Sequence, residues 1–252
     1  MKTITVISKG FTSTCLLLMS LLGLCFIAIL TFNGTISKMS YPLRKPLIGS
    51  IFGSICVLGT LSAVFPSKCS RIFHFKTENG RRTSNVAEPI SLRGKNLQLR
   101  GHHPDCGNFS AHVFLVSDRI FCAGCVGLAL GAVFSLLGTF LYFFANLSLN
   151  DGYYFVFWVG FIGVACGLLQ YHVFRFKRSL IHMFLNSGFV LGASLLLVGA
   201  DAITSSLSTA VYILALDIFW IYARIELSRW NHGMICDNCG LEKCPYYLRR
   251  RL

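Results

Sequence analysis

Apolar residues run along this chain in long unbroken blocks separated by polar stretches. That differs from the alternating or one-sided patterns of strands and surface helices in water. A helix needs about 20 mostly apolar residues to cross a bilayer core. Blocks of about that length occupy 11–32, 47–65, 121–145, 153–174, 180–200 and 203–223. The pattern predicts an all-α membrane protein with about six transmembrane helices. The first block exceeds the ~7–15 apolar residues of a signal peptide, and no small-x-small cleavage site precedes Asn33, so it is expected to be retained.

Four blocks contain glycines one helical turn apart: Gly49/Gly53, Gly127/Gly131, Gly163/Gly167 and Gly188/Gly192. Such small-residue pairs let helix backbones approach closely in lipid, so a tight bundle is expected. The stretch 67–99 is polar and aperiodic, which suggests a linker between an N-terminal hairpin (1–66) and a four-helix core (121–223). A Cys/His segment (100–125) leads into the core, and a basic, Cys-rich tail (224–252) follows it.

Basic residues orient these spans, because loops rich in Lys and Arg stay cytosolic. Lys68, Arg71, Lys76, Arg81, Arg82, Arg93, Lys95, Arg100 and Arg119 follow the second block. Arg175, Lys177 and Arg178 follow the fourth, and Arg224, Arg229, Lys243, Arg249, Arg250 and Arg251 follow the sixth. The connections 146–152 and 201–202 carry none. Cytosolic N and C termini are therefore expected, although Lys38, Arg44 and Lys45 then fall outside. The composition fits: 54% hydrophobic, 13% charged and a mean hydropathy of +0.62. The net charge of +13 gathers beside the apolar blocks, as expected for attraction to anionic headgroups and not for nucleic-acid binding.

Cys15, Cys25, Cys56 and Cys166 fall inside blocks, where cysteine acts as a small hydrophobe, and Cys69 stands alone in the linker. The other cysteines form two clusters on the expected cytosolic side, where thiols stay reduced and grouped cysteines favour metal over disulfides. The first cluster holds His102, His103, Cys106, His112, Cys122 and Cys125. Tetrahedral zinc takes four N or S donors, and a Cys-x2-Cys pair places two thiolates on one ion. Cys122 and Cys125 also fall at a helix start, where unpaired N–H groups and the dipole favour thiolate. The second cluster is His232-x3-Cys236-x2-Cys239-x4-Cys244, in a segment too polar to fold alone. Zinc would supply its order. An iron–sulfur cluster fits less well, because the spacing matches neither common ferredoxin pattern. Two separate sites and one shared ion are both open.

Asp217 lies two turns before Arg224 in the sixth block, and Gln170, His172 and His182 sit at similar expected depth. Intramembrane acids are expensive and mark functional sites by default. A polar pocket beneath the metal clusters is one reading, and an acid neutralised by the arginine is the other.

The residues His102, Phe109, Cys122, Ala123, Cys125, Gly127 and Gly131 resemble a family of prokaryotic multi-pass membrane proteins known only as a domain of unknown function. Its pattern is a Cys-His pair, a later aromatic, then Cys-Ala-Arg-Cys-Thr-Gly entering a span. Here Gly101, Gly124 and Val126 replace the first Cys, the Arg and the Thr, and Cys106 is additional. The match covers about one-eighth of the chain and implies a membrane protein with a cytosolic-side Cys/His site, without an established reaction.

These readings converge on a multi-pass protein of the cell membrane. It would embed in the lipid bilayer, with a zinc site that organises its cytosolic face for docking a protein partner. A membrane thiol oxidoreductase using Cys122/Cys125 is the first alternative. A small-solute transporter using Asp217 is the second, and it lacks paired Gly/Pro-broken helices. The sequence contains no His-Glu-x2-His motif of a metalloprotease.

Overall fold

A computed structural model describes residues 2–33, 43–64, 91–92, 95–96, 99–100, 103–104, 109–116, 119–171 and 178–237. Six long helices form the fold: α1 (Lys2–Asn33), α2 (Arg44–Val64), α3 (Ala123–Thr139), α4 (Tyr153–Leu169), α5 (Ser179–Thr204) and α6 (Leu207–Asp237). A π-helical turn, Phe140–Phe144, prolongs α3. Three antiparallel two-stranded ladders precede α3. They pair β1 (Ser91–Leu92) with β2 (Lys95–Asn96), β3 (Leu99–Arg100) with β4 (His103–Pro104), and β5 (Val113–Val116) with β6 (Arg119–Cys122). Five helices are long and apolar enough to cross a membrane: α1 over Gly10–Asn33, α2 over Arg44–Ala63, α3 with its π turn, α4 with the preceding turn, and α5. Phe11, Leu22, Phe155, Ile162 and Phe184 are among the large apolar side chains left exposed around the bundle, a surface suited to lipid. The sixth helix is as long but carries Asp217, Arg224, Glu226 and Arg229.

The helices begin and end where local chemistry directs. Pro46 is tolerated in the first turn of α2, where its missing N–H has no intrahelical partner. After α5, Ser205 turns left-handed (φ 50°) and donates its N–H to the Asp201 carbonyl at 2.9 Å. Only Ser205 and Ser206 then separate α5 from α6, so α5 runs past the expected end at 200 and carries Asp201 within its last turn. At its other end α6 continues to Asp237, and much of the segment expected to be a tail is helix.

Centrally placed α5 has just over half of its span buried (56%), against 22–28% for the other four. Glycines make this possible. A Cβ on Gly127 would strike the Met183 carbonyl oxygen, and one on Gly131 would lie 2.6 Å from the Ser187 oxygen. These contacts run α3 parallel to α5. Across the other face, a Cβ on Gly160 would strike the Leu196 nitrogen, while Cβ atoms on Gly192 and Gly199 would fall 2.8 Å from the Val164 nitrogen and 2.7 Å from the Phe157 Cα. There α4 runs antiparallel to α5. Three of the expected pairs, Gly49/Gly53, Gly127/Gly131 and Gly163/Gly167, meet neighbours at both positions, whereas Gly188 has open space.

The N-terminal hairpin packs directly on the core. Buried positions on α1 (Ser13, Leu17, Ser20, Leu24, Ile27, Thr31) alternate spacings of three and four, as do Ala210, Ile213, Asp217, Trp220, Arg224 and Leu227 on α6. This is the seam of two helices packed lengthwise. Trp220 Nε1 donates to the Ser20 carbonyl at 3.2 Å, Leu216 covers Gly23, and Phe26 meets Tyr212 edge-on at 5.4 Å, so α1 and α6 are antiparallel. On the other side, α2 packs on α3, with Gly49 against Phe143.

Replacing Gly192 with Leu forces a side chain into the α4 backbone, where overpacking costs about 1–3 kcal/mol. Thermal unfolding in detergent should show a clear loss for Gly192→Leu, whereas Gly188→Ala should melt like wild type.

Candidate functional site

One end of the bundle collects residues from four separated stretches of sequence. The β5–β6 hairpin does the first part of this work. Its register pairs Val113 with Cys122, so the residue just before β5, His112, is brought to the start of α3. His112 closes a 3-10 turn, Ser110–His112, its N–H bonding to the Phe109 carbonyl at 2.9 Å. Cys122 ends β6 and is also the N-cap of α3, without a side-chain capping bond. Cys125 follows in the first helical turn, and both thiols are half-buried.

The first turns of α5 and the last turns of α6 complete the arrangement. The imidazole of His112 stacks on that of His182, with centroids 4.9 Å apart, and meets that of His232 edge-on at 5.4 Å. Phe109, 4% exposed, packs edge-on against His232 at 5.5 Å. Cys236 lies one turn beyond His232 and is half-buried. Beneath this layer, Asn186 donates to the His182 carbonyl at 2.5 Å and accepts from Gln170 Nε2 at 3.2 Å. A Cβ at Gly124 would stand 3.4 Å from Asn186 Nδ2 and 3.8 Å from Cys122 Sγ, so the amide lies under the Cys-x2-Cys turn.

Of the residues expected to ligate metal, His112, Cys122, Cys125, His232 and Cys236 are at this end. His103 pairs through its backbone with Arg100 in the β3–β4 ladder. His102, Cys106, Cys239 and Cys244 lie outside the described residues, as does His172. Among the described residues, no group of three or more His, Cys, Asp or Glu side chains stands in an arrangement that holds a metal ion. His182, which the sequence offered as one lining residue of a polar pocket beneath the clusters, stacks directly on His112. Asn186 had no signal as a site residue, since an asparagine is not unusual in a helix, whereas Phe109 was marked only as the aromatic of the family resemblance.

The opposite end holds a second polar group, absent from the sequence reading. Asp201 is 2% exposed and accepts from Arg44 Nη1 of α2 and, at 3.1 Å, from Tyr142 Oη in the π turn. The π turn supplies that geometry: Ala145 N–H reaches back to the Phe140 carbonyl at 3.0 Å, and Tyr142 and Phe143 both turn inward. Lys45 sits over the Tyr142 ring, 4.5 Å from its centroid.

Comparison with known proteins finds no matching family model, no matching curated protein and no matching solved structure.

Removing one partner of a buried ion pair strands the other charge, at about 3–5 kcal/mol. Arg44→Ala should therefore lower the detergent melting temperature strongly. The double variant Arg44→Ala/Asp201→Ala should recover part of that loss, which a double-mutant cycle measures.

Proposed function

We propose that this chain is a multi-pass protein of the cell membrane in which all six long helices span the bilayer. Both chain ends face the cytosol, and one zinc centre orders the cytosolic face as a docking surface for a protein partner. The charge asymmetry supports the orientation. Among the described residues, Arg119, Arg178 and Arg229 flank the helix ends that carry the histidines and cysteines, and the helix pairs run in alternating directions. In this reading the two lipid-poor features of α6, Asp217 and Arg224, enter the membrane because they face the bundle and not lipid.

The observation that carries the metal reading is the contact of His112 with both His182 and His232. It joins the two Cys/His clusters, which lie more than a hundred residues apart in sequence. Imidazoles bound to one tetrahedral zinc at 2.0–2.1 Å have ring centroids roughly 5 Å apart. The centroid spacings here are 4.9 and 5.4 Å. The half-buried thiols of Cys122, Cys125 and Cys236 stand on the helix turns beside these rings. A soft N/S donor set of this kind in a reduced compartment favours zinc over magnesium or calcium. This meeting also favours a shared centre over two separate ones. Zinc there would tie the β5–β6 segment to the ends of α5 and α6, and structural zinc contributes about 10–16 kcal/mol to folding in small peptides.

Metal analysis of the detergent-purified protein tests this. About one equivalent of zinc is expected per chain, and Cys125→Ser or Cys236→Ser should each abolish it. Half-loss in each variant would show two sites. Metal-free protein carrying a reversible Cys122–Cys125 disulfide would overturn the reading in favour of thiol redox chemistry.

A further inference from the structure

Asp217 is 4% exposed on the inward stripe of α6, and among the described residues neither of its carboxylate oxygens has a hydrogen-bond partner. Its depth follows from its neighbours. Leu216 lies against Gly23 and Trp220 bonds to Ser20, both near the middle of the apolar span Gly10–Asn33. Asp217 therefore stands near mid-depth of the apolar layer.

Among the described residues, the surroundings offer it no ion partner. Three helices, α1, α2 and α5, pack against α6. On α1, Gly10–Asn33 contains no charged residue, and its titratable groups are the thiols of Cys15 and Cys25. Cys56 of α2 is within electrostatic reach, as a thiol and not a cation. Along α5 there is no charged residue between His182 and Asp201, and Asp201 is held by Arg44. On α6 itself, Glu226 pairs with Arg229. Arg224, 6% exposed, bonds through Nη2 to Tyr171 Oη at 3.2 Å and lies 5.6 and 5.5 Å from the Tyr171 and Phe189 ring centroids. Its Nε has no hydrogen-bond partner. An acid and a base thus share one stripe, two turns apart, and neither neutralises the other.

An ionised carboxylate without partners in such a place is far more costly than a neutral acid. A hard metal cation would need several oxygen donors, whereas Ile213, Leu216 and Trp220 are the near neighbours along the helix. We propose that Asp217 is a proton-binding site in the membrane interior, occupied in this packing, and that Arg224 is the internal cation that compensates its charge when the proton leaves. In this packing the Arg224 guanidinium rests on Tyr171. Because helix side chains lean toward the N-terminus, release from Tyr171 would let it swing along the stripe toward Asp217.

Infrared difference spectroscopy of the full chain in lipid, stepped from acid to alkaline pH, tests both parts. The wild type should show the carbonyl band of a protonated carboxylic acid at neutral pH, shifted in deuterium oxide. Asp217→Asn should lose that band while keeping helicity and melting temperature. Arg224→Gln should hold the proton more tightly, by about tenfold for a charge ~10 Å away at an effective dielectric of ~20. Absence of the band from wild type, or its persistence in Asp217→Asn, would overturn the proton site. An unchanged titration in Arg224→Gln would overturn the role of the arginine. Should Asp217→Asn fail to fold, a hydrophobic carbodiimide applied to wild type gives the same decision. Label mapped to Asp217 supports the site, and label only at other carboxyls overturns it.

Discussion

The backbone-to-backbone approach of α5 to α3 and α4 is the constraint on which the rest of the bundle depends. In lipid there is little hydrophobic force between helices, so close contact and dispersion must hold them. Where Gly127, Gly131, Gly160, Gly192 and Gly199 remove a side chain, the neighbouring helix sits against bare backbone. That approach fixes where the first turn of α5 stands relative to the start of α3. Asn186, beside Gly124 and Gly127, is the residue through which this packing reaches the Cys/His end. Its amide links the His182 turn, Gln170 and the Cys-x2-Cys turn into one unit.

The two ends of the bundle manage polarity in different ways. At one, Arg44, Asp201 and Tyr142 close on each other and leave little exposed. At the other, the imidazoles of His112, His182 and His232 pack together, and half-buried thiols stand on the adjoining turns at Cys122, Cys125 and Cys236. The closed end also resolves an anomaly in the charge pattern. Arg44 and Lys45 run against the expected asymmetry, yet Arg44 neutralises a buried acid and Lys45 lies on an aromatic ring. Both have structural partners, so neither needs to report on orientation.

Apolar run length made α1 to α5 legible, because a span must be long and uncharged whatever its neighbours are. It served α6 less well, since Asp217 and Arg224 face inward and break the run on a side that lipid never meets. The hairpin Val113–Val116/Arg119–Cys122 was hidden for a different reason. Its strands are only four residues each, within a segment read for its Cys/His content, and just Phe121 and Cys122 fall in the helical block that follows. Metal-ligand spacing singled out His112 and His232 separately, but nothing local links two residues that meet only through the fold. Asp217 was visible as an anomalous charge. That Arg224 turns to Tyr171 and not to Asp217 was not, because seven-residue spacing on a helix allows either.

The pairing of the first helix with the last bears on how the protein is made. Ser20 waits for Trp220, two hundred residues later, which at ~5–20 residues per second is roughly 10–40 s of synthesis. During that interval α1 has α4 and α5 to pack against, through contacts such as Phe32 on Phe157 and Trp158, and between Gly10 and Asn33 it carries no charge at all. The last helix is its opposite, too polar on one side to be stable by itself. Its inward face, with Asp217 and Arg224, is covered by a helix made long before it, so the order of the two helices along the chain is also the order in which one becomes the packing template of the other.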